Sequence, residues 1–279
     1  MSTENSAGFD EKSFLGGRVL LRQLRRGHRA GTDAALAIAA ARPDAHGRVV
    51  DLGAGSGAIG LSLAVLAPKI EVTLVEVDAE IAGLAAESAV LNGCAERVQC
   101  VVADVEHLIH SPRTRHDLGP LYDLVVTNPP FTNAQSSQAS PNPRRALAHM
   151  TREGALARWI DAGAVLLRPK GSFIAICRPE AITEVLEALG RSFSAIALRP
   201  VHPRVDASAT RILVRAQKGG RAPLTILPPL VLHEEDASFT RLAEAIHRGD
   251  AELAFISRSC LHSNPNSRSS VHGQMRTKA

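Results

Sequence analysis

The sequence predicts an α/β fold: a doubly wound, mostly parallel sheet of seven strands closed by an antiparallel C-terminal hairpin. Three observations predict it. Short apolar runs alternate with segments of helical periodicity through the middle of the chain. Each run is apolar on both faces, as strands covered by helices on both sides must be. After residue 190 the alternation stops, and two apolar runs follow one another with no helix between them.

Taken in order, "GRVVDLG" (47 to 53), "EVTLVEVD" (71 to 78), "RVQCVVAD" (97 to 104), "LYDLVVTN" (121 to 128) and "GSFIAICR" (171 to 178) read as the buried strands. Helix-like segments rich in Ala, Leu and Glu lie at 57 to 66, 79 to 91, 153 to 167 and 180 to 189. "FSAIALRP" and "TRILVRAQ" form the closing hairpin. Residues 1 to 46 make an N-terminal segment with a basic cluster and an alanine-rich helix, 47 to 255 make the main domain, and 256 to 279 lack apolar periodicity and read as a disordered tail. No internal repeat is visible.

Composition narrows the function classes. With 279 residues, 45% hydrophobic and 22% charged, the chain has material for one large core. No apolar run nears the 18 or so residues of a membrane span, since "AALAIAAA" (34 to 41) is stopped by Arg42-Pro43. The polar, acidic start "MSTENSAGFDEKS" is unlike a signal peptide, so the expectation is a cytoplasmic protein. Cys94, Cys100, Cys177 and Cys260 show no paired spacing, which argues against a metal site or a disulfide framework. The net charge is +4, carried by 27 Arg and 5 Lys. Guanidinium suits phosphate forks and base stacking, although G+C-rich codon usage would also raise the Arg count. Arg18, Arg22, Arg25, Arg26, His28 and Arg29 form one cluster; Arg144, Arg145, His149, Arg152 and Arg158 form another.

The first chemical motif is "VVDLGAGSGAIG". Gly53, Gly55 and Gly57 stand where a strand turns into a helix, and glycines there let the backbone approach a ligand at the helix N-terminus. Gly55-x-Gly57-x-x-Gly60 also meets the dinucleotide fingerprint, with Glu76 at the end of the next strand placed to take ribose hydroxyls. The motif alone leaves a dinucleotide and other nucleoside cofactors open.

Asp51 within the first strand, Asp104 at the end of the third, and Asn128-Pro129-Pro130-Phe131 at the end of the fourth complete a set on one rim of the sheet, where such folds bind ligands. The set resembles the class I S-adenosylmethionine-dependent methyltransferases, Rossmann-like enzymes whose signature of Asp, Asn or Ser, two prolines and an aromatic residue methylates planar nitrogen. The resemblance implies that Asp51 and the turn Gly53 to Gly57 hold the methionine portion and sulfonium region of S-adenosyl-L-methionine. It gives Glu76 the ribose hydroxyls and Asp104 the adenine amino group, with Val77, Ala103 and Val105 as apolar walls.

That resemblance accounts for the signature physically. An exocyclic amine conjugated to a ring is a poor nucleophile because its lone pair is delocalised. The Asn128 side-chain oxygen and the Pro129 carbonyl can accept its two N–H groups and aim the remaining electron density at a methyl donor, while the prolines stiffen the turn. Phe131 would stack on the ring, and base stacking is worth roughly 1 to 3 kcal/mol.

The run Gly27-His28-Arg29-Ala30-Gly31-Thr32-Asp33-Ala34, followed by the alanine-rich helix, further resembles the bacterial tRNA1(Val) adenine-N6 methyltransferase family. In that family this segment packs over the cofactor edge, which implies cofactor contacts for Thr32 and Asp33; both also suit helix capping. The resemblance implies a tRNA substrate, with Pro130, Arg144 and Arg145 on the substrate side. It departs at Ser238-Phe239-Thr240, where the family has a Tyr-Thr pair, and at "VLHEEDAS", which lacks a common glycine. A protein-glutamine N-methyltransferase shares the Asn-Pro-Pro signature but carries a helical N-terminal domain, for which the fifty residues before Asp51 are expected to be too few. A non-catalytic binding protein would not keep Asn128. A dinucleotide oxidoreductase explains the glycines but not Asn128 to Phe131, and Tyr122, the sole tyrosine, has no Lys partner of the catalytic type.

Overall fold

Why the N-terminal segment folds as it does is visible in its two-residue alternation. In the computed structural model, which describes residues 8–25, 29–110, 118–130 and 154–255, β1 (Phe9–Phe14) and β2 (Val19–Leu24) form an antiparallel hairpin. Val19, Leu21 and Gln23 face inward and are buried, while Arg22 between them faces out. A helix alone was expected before residue 47; the hairpin is additional. The helix α1 (Thr32–Ala41) is present and buried from Ala34 through Ala41, as a helix apolar on all sides must be.

The alternation then runs β3 (Arg48–Leu52), α2 (Ala58–Leu66), β4 (Glu71–Glu76), α3 (Ala79–Leu91), β5 (Val98–Val102), β6 (Tyr122–Thr127), α4 (Ala155–Leu166), β7 (Leu167–Cys177) and α5 (Ile182–Leu189). β8 (Phe193–His202) and β9 (Arg211–Lys218) close the sheet, and β10 (Thr225–Ile226), β11 (Leu230–Val231) and α6 (Arg241–His247) follow. The sheet order is β5-β4-β3-β6-β7-β9-β8-β10, with β11 also paired to β8. β3, β4, β5, β6 and β7 are parallel, and β9 is antiparallel to both β7 and β8. The expected seven-stranded pattern with its hairpin is therefore present. The two-residue β10 and β11 are too short to register as apolar runs.

Alternate residues of each strand feed two cores. Val49, Leu124, Val126, Ile174 and Leu213 pack with α1, α2 and α6 on one side. Val50, Leu52, Val125, Phe173 and Val214 pack with α4 and α5 on the other. β5 departs from the sequence reading: Gln99 and Val102 are exposed and the rest half-buried, because it is the edge strand with one neighbour. The strand order reverses beside β3, which has β4 on one side and β6 on the other. Such a switch point opens a crevice at the carboxyl ends of the strands.

The hairpin is held over that crevice by α3. Asn92 pairs with the backbone of Leu20 like a strand residue, its Oδ1 accepting from the N–H (2.9 Å) and its Nδ2 donating to the carbonyl (2.7 Å). Ser88 Oγ accepts from the Arg22 N–H at 2.9 Å.

Candidate active site

The turn after β3 is built by close packing. Gly53 has φ +69°, and a Cβ there would lie 2.4 Å from the Trp159 ring of α4. Gly55 also has a positive φ (+56°), yet a Cβ on it would meet nothing within 4 Å. The turn is thus packed behind Gly53 and open in front of Gly55, which leaves backbone exposed to a ligand.

Two carboxylates brace the turn. Glu76 at the end of β4 accepts from the Gly55 N–H through Oε2 (2.8 Å) and from the Asp78 N–H through Oε1 (3.0 Å). Asp51 accepts from the Gly60 N–H through Oδ2 (2.9 Å), while its Oδ1 is buried with no hydrogen-bond partner among the described residues. Burial pushes the Asp51 carboxyl up to about 7, the Glu76 charge adds to that rise, and the Gly60 N–H opposes it. Asp78 caps α3 by accepting from the N–H groups of Glu80 (2.9 Å) and Ile81 (3.3 Å).

Across the crevice, Thr127 Oγ1 donates to the Leu52 carbonyl at 2.8 Å, so the ends of β6 and β3 are pinned together. Asn128 follows immediately. It lines a cleft shared with Gly53, Gly55, Ser56, Gln23 and Ile81. Its Oδ1 is buried and has no partner among the described residues. Pro129 is buried and Pro130 is exposed. Phe131, Arg144 and Arg145, together with Arg26, His28, His149, Arg152 and the tail 256–279, lie outside the described residues.

Other residues singled out from the sequence are placed as follows. Asp104 follows β5 and is not among the residues lining the cleft; its Oδ1 accepts from the Glu106 N–H (2.9 Å) and its Oδ2 is bonded to His107 Nδ1 (2.8 Å). Val77 is half-exposed, whereas Val105 is buried in the core that contains Trp159. Thr32 and Asp33 do not line the cleft, although Ala30 and Ala34 beside them do. Thr32 Oγ1 is bonded to His247 Nε2 (3.1 Å), and Asp33 forms an ion pair with Arg211 (2.9 Å). Neither caps α1, whose N-cap is Gly31.

The N-terminal arginines are paired within the chain. Arg18 meets Asp250, Arg22 meets Glu11 and Glu87, and Arg25 and Arg29 share Asp10. Arg158 is bonded to Glu106 at 2.7 Å. The pairs of Arg18, Arg22, Arg25 and Arg29 clamp the hairpin and its neighbours, so among the described residues of the N-terminal cluster every arginine is committed to a carboxylate. Among the described residues no group of His, Cys, Asp and Glu has the arrangement of a metal site, and no helix is long and apolar enough to cross a membrane.

Sequence reasoning missed Gln23, Ile81 and Leu84, which line the cleft, and took Ser56 only as part of the glycine turn. A signal existed for Gln23, the polar member of an otherwise apolar inward row, Val19-x-Leu21-x-Gln23. Ile81 and Leu84 carried the i, i+3 spacing of one helix face, indistinguishable in sequence from ordinary core.

Comparison with known proteins places these features in context. The profile of the methyltransferase small domain matches residues 29–197. The tRNA1(Val) (adenine(37)-N6)-methyltransferase of Aeromonas hydrophila is 31% identical over 192 residues, covering 68% of this chain and 76% of that relative. The release factor glutamine methyltransferase of Chlorobaculum tepidum is 29% identical over 164 residues, 57% of this chain and 54% of that relative. Among solved structures, a predicted O-methyltransferase from Agrobacterium tumefaciens superposes with TM-score 0.65 at 30% identity, covering 79% of this chain and 98% of its own. The Thermus thermophilus 16S rRNA N2 G1207 methyltransferase, solved with AdoMet and guanosine, shares the fold with TM-score 0.52 at 21% identity, covering 75% of this chain and 50% of its own.

Proposed function

We propose that this chain, which belongs to the methyltransferase small domain family, transfers a methyl group from S-adenosylmethionine to N6 of an adenine in the anticodon loop of a valine tRNA. The observation that carries the reading is Asn128: a buried amide oxygen with no partner among the described residues, at the lip of the cleft behind the glycine turn. A buried acceptor left open costs about 1 to 3 kcal/mol unless something donates to it. A ring amine does.

The residues present fit the cofactor. The cleft joins apolar walls, Ile81, Leu84, Ala30 and Ala34, to an open backbone at Gly55, whose N–H is held by the carboxylate of Glu76 just behind the lining. When bound, S-adenosylmethionine supplies an electrophilic methyl group on a sulfonium. Glu76 would hold the ribose hydroxyls with the lone pairs its two backbone donors leave, and Asp104 would take the adenine amine. The turn Gly53 to Gly57 would cradle the methionine end. Asn128 and the Pro129 carbonyl would accept the two N–H groups of the substrate amine, orient its lone pair toward the cofactor side of the cleft, and accept hydrogen bonds that strengthen as positive charge develops on nitrogen. Phe131, next in sequence, would stack on the base.

The tRNA assignment draws on the named relatives at 25–34% identity. The test is nucleoside mass spectrometry of purified tRNA incubated with enzyme and S-adenosylmethionine. N6-methyladenosine should form with the wild type. With Asn128→Ala, turnover should fall by about two orders of magnitude or more while binding of S-adenosylhomocysteine persists. Undiminished turnover would remove Asn128 from the chemistry. The glutamine methyltransferase relative favours one other outcome, methylation of a protein amide with tRNA untouched, in which case the cofactor reading stands and the substrate reading falls.

A further inference from the structure

We infer that Gln23, with Ser56, recognises the charged amino-acid end of the cofactor, so that the N-terminal hairpin forms part of the binding site. The inference rests on the cofactor reading above and extends it from the glycine turn, which holds Ser56, to Gln23 on a separate element.

Gln23 is 4% exposed, on the inward face of β2 after Val19 and Leu21. An apolar residue there would continue the row and avoid the cost of burying an amide. Its Nε2 instead donates to Ser56 Oγ at 2.9 Å, a side chain in the middle of the glycine turn. That bond uses one of two amide hydrogens, and the Oε1 carbonyl has no partner among the described residues. Ser56 Oγ, acting as acceptor, keeps its own hydrogen to donate. The pair therefore offers the cleft two donors and one acceptor. Immediately beyond, α2 starts at Ala58 with Gly57 as N-cap; Asp51 takes the Gly60 N–H of its first turn, and the positive end of the helix dipole adds to the donors there.

An amino-acid end carries a carboxylate that needs donors and an ammonium that needs an acceptor. An amide beside a hydroxyl meets both needs without a net charge. Ile81 and Leu84, which also line the cleft, are apolar, so the polar end of an elongated amphipathic ligand has its matching groups at Gln23 and Ser56. The hairpin that presents Gln23 is fixed independently, by Asn92, Ser88 and the Arg22 ion pairs, so the side chain can be changed without removing what docks the strand.

The test compares two nucleosides by isothermal titration calorimetry: S-adenosylhomocysteine, which has the amino-acid end, and 5′-methylthioadenosine, which lacks it. Wild type should prefer the former. In Gln23→Leu and the isosteric Gln23→Glu, whose charge repels a carboxylate, affinity for S-adenosylhomocysteine should fall roughly tenfold or more. Affinity for methylthioadenosine should change less than about twofold. Ser56→Ala should shift the preference in the same direction. Equal losses for both nucleosides in every variant would mean a packing role and overturn the inference, as would an unchanged preference. A wild type that binds neither nucleoside refutes the cofactor reading itself and is distinguishable from both.

Discussion

Gly55 and Glu76 are joined by a 2.8 Å hydrogen bond from the Gly55 N–H to Oε2, while Oε1 takes the Asp78 N–H. One carboxylate thus ties the glycine turn after β3 to the start of α3. Both oxygens face donors, and an amide cannot satisfy that arrangement, because one of its two positions is itself a donor. Glu76→Gln should therefore lower affinity for S-adenosylhomocysteine tenfold or more, measured by calorimetry alongside a thermal melt. Affinity at the wild-type level in a folded variant would show that Glu76 braces nothing the ligand needs.

Gly53 and Gly55 provide a contrast within one turn. Both have positive φ, but a Cβ at Gly53 would strike Trp159 whereas one at Gly55 would enter open space. Gly53→Ala should destabilise the fold by about 2 to 5 kcal/mol, combining backbone strain and overpacking. Gly55→Ala should cost about 1 kcal/mol and act mainly on ligand binding, since its methyl projects toward the cleft. Chemical denaturation of the two variants separates these effects; equal destabilisation contradicts the packing described.

How far this arrangement was legible in the sequence depends on what each residue needs as its partner. β6 was clear because Tyr122 through Thr127 are all buried, and the glycine turn was clear because its requirement is local. The hairpin was obscured by arginines, whose density drew attention from the alternation of Val19, Leu21 and Gln23. Their partners Asp10, Glu11, Glu87 and Asp250 are up to 232 residues away, and pairing at that range leaves no periodic trace. Thr32 and Asp33 illustrate the same limit: His247 and Arg211 occupy them from the far end of the chain. β5 read as a central strand because an apolar run does not reveal how many neighbours it has.

Asp51 gives a pH prediction with a definite sign. Burial raises its carboxyl from 3.8 to about 7 in the folded protein, so between those values the native state holds a proton that the unfolded chain releases. Its contribution is fully present below the unfolded value and is lost progressively as pH rises through the folded one. Asp51→Asn keeps an acceptor for the Gly60 N–H but cannot ionise. Measured by urea midpoints at about pH 5 and about pH 8, the wild type should lose more stability than the variant on going to the higher pH. Parallel losses would mean that Asp51 does not titrate in this range.

The last prediction concerns which arginines meet RNA, and it separates two clusters that composition alone treats alike. Arg25 and Arg29 share the carboxylate of Asp10, at 3.1 and 3.2 Å, and Arg22 sits between Glu11 and Glu87. A cation already paired with a carboxylate brings that negative charge along, so it neutralises less phosphate and displaces fewer of the cations condensed on the nucleic acid. Arg144 and Arg145 follow the Asn128 motif in the sequence and are the stronger candidates for phosphate contacts. The slope of log affinity against log salt, measured by fluorescence anisotropy with labelled tRNA, reports how many phosphates are neutralised. Arg144→Glu with Arg145→Glu should flatten that slope by roughly one to two units and leave S-adenosylhomocysteine affinity unchanged. Arg25→Ala with Arg29→Ala should leave the slope nearly intact. If the second pair flattens it and the first does not, the N-terminal ion pairs open on RNA binding and the hairpin, not the segment after Asn128, carries the substrate.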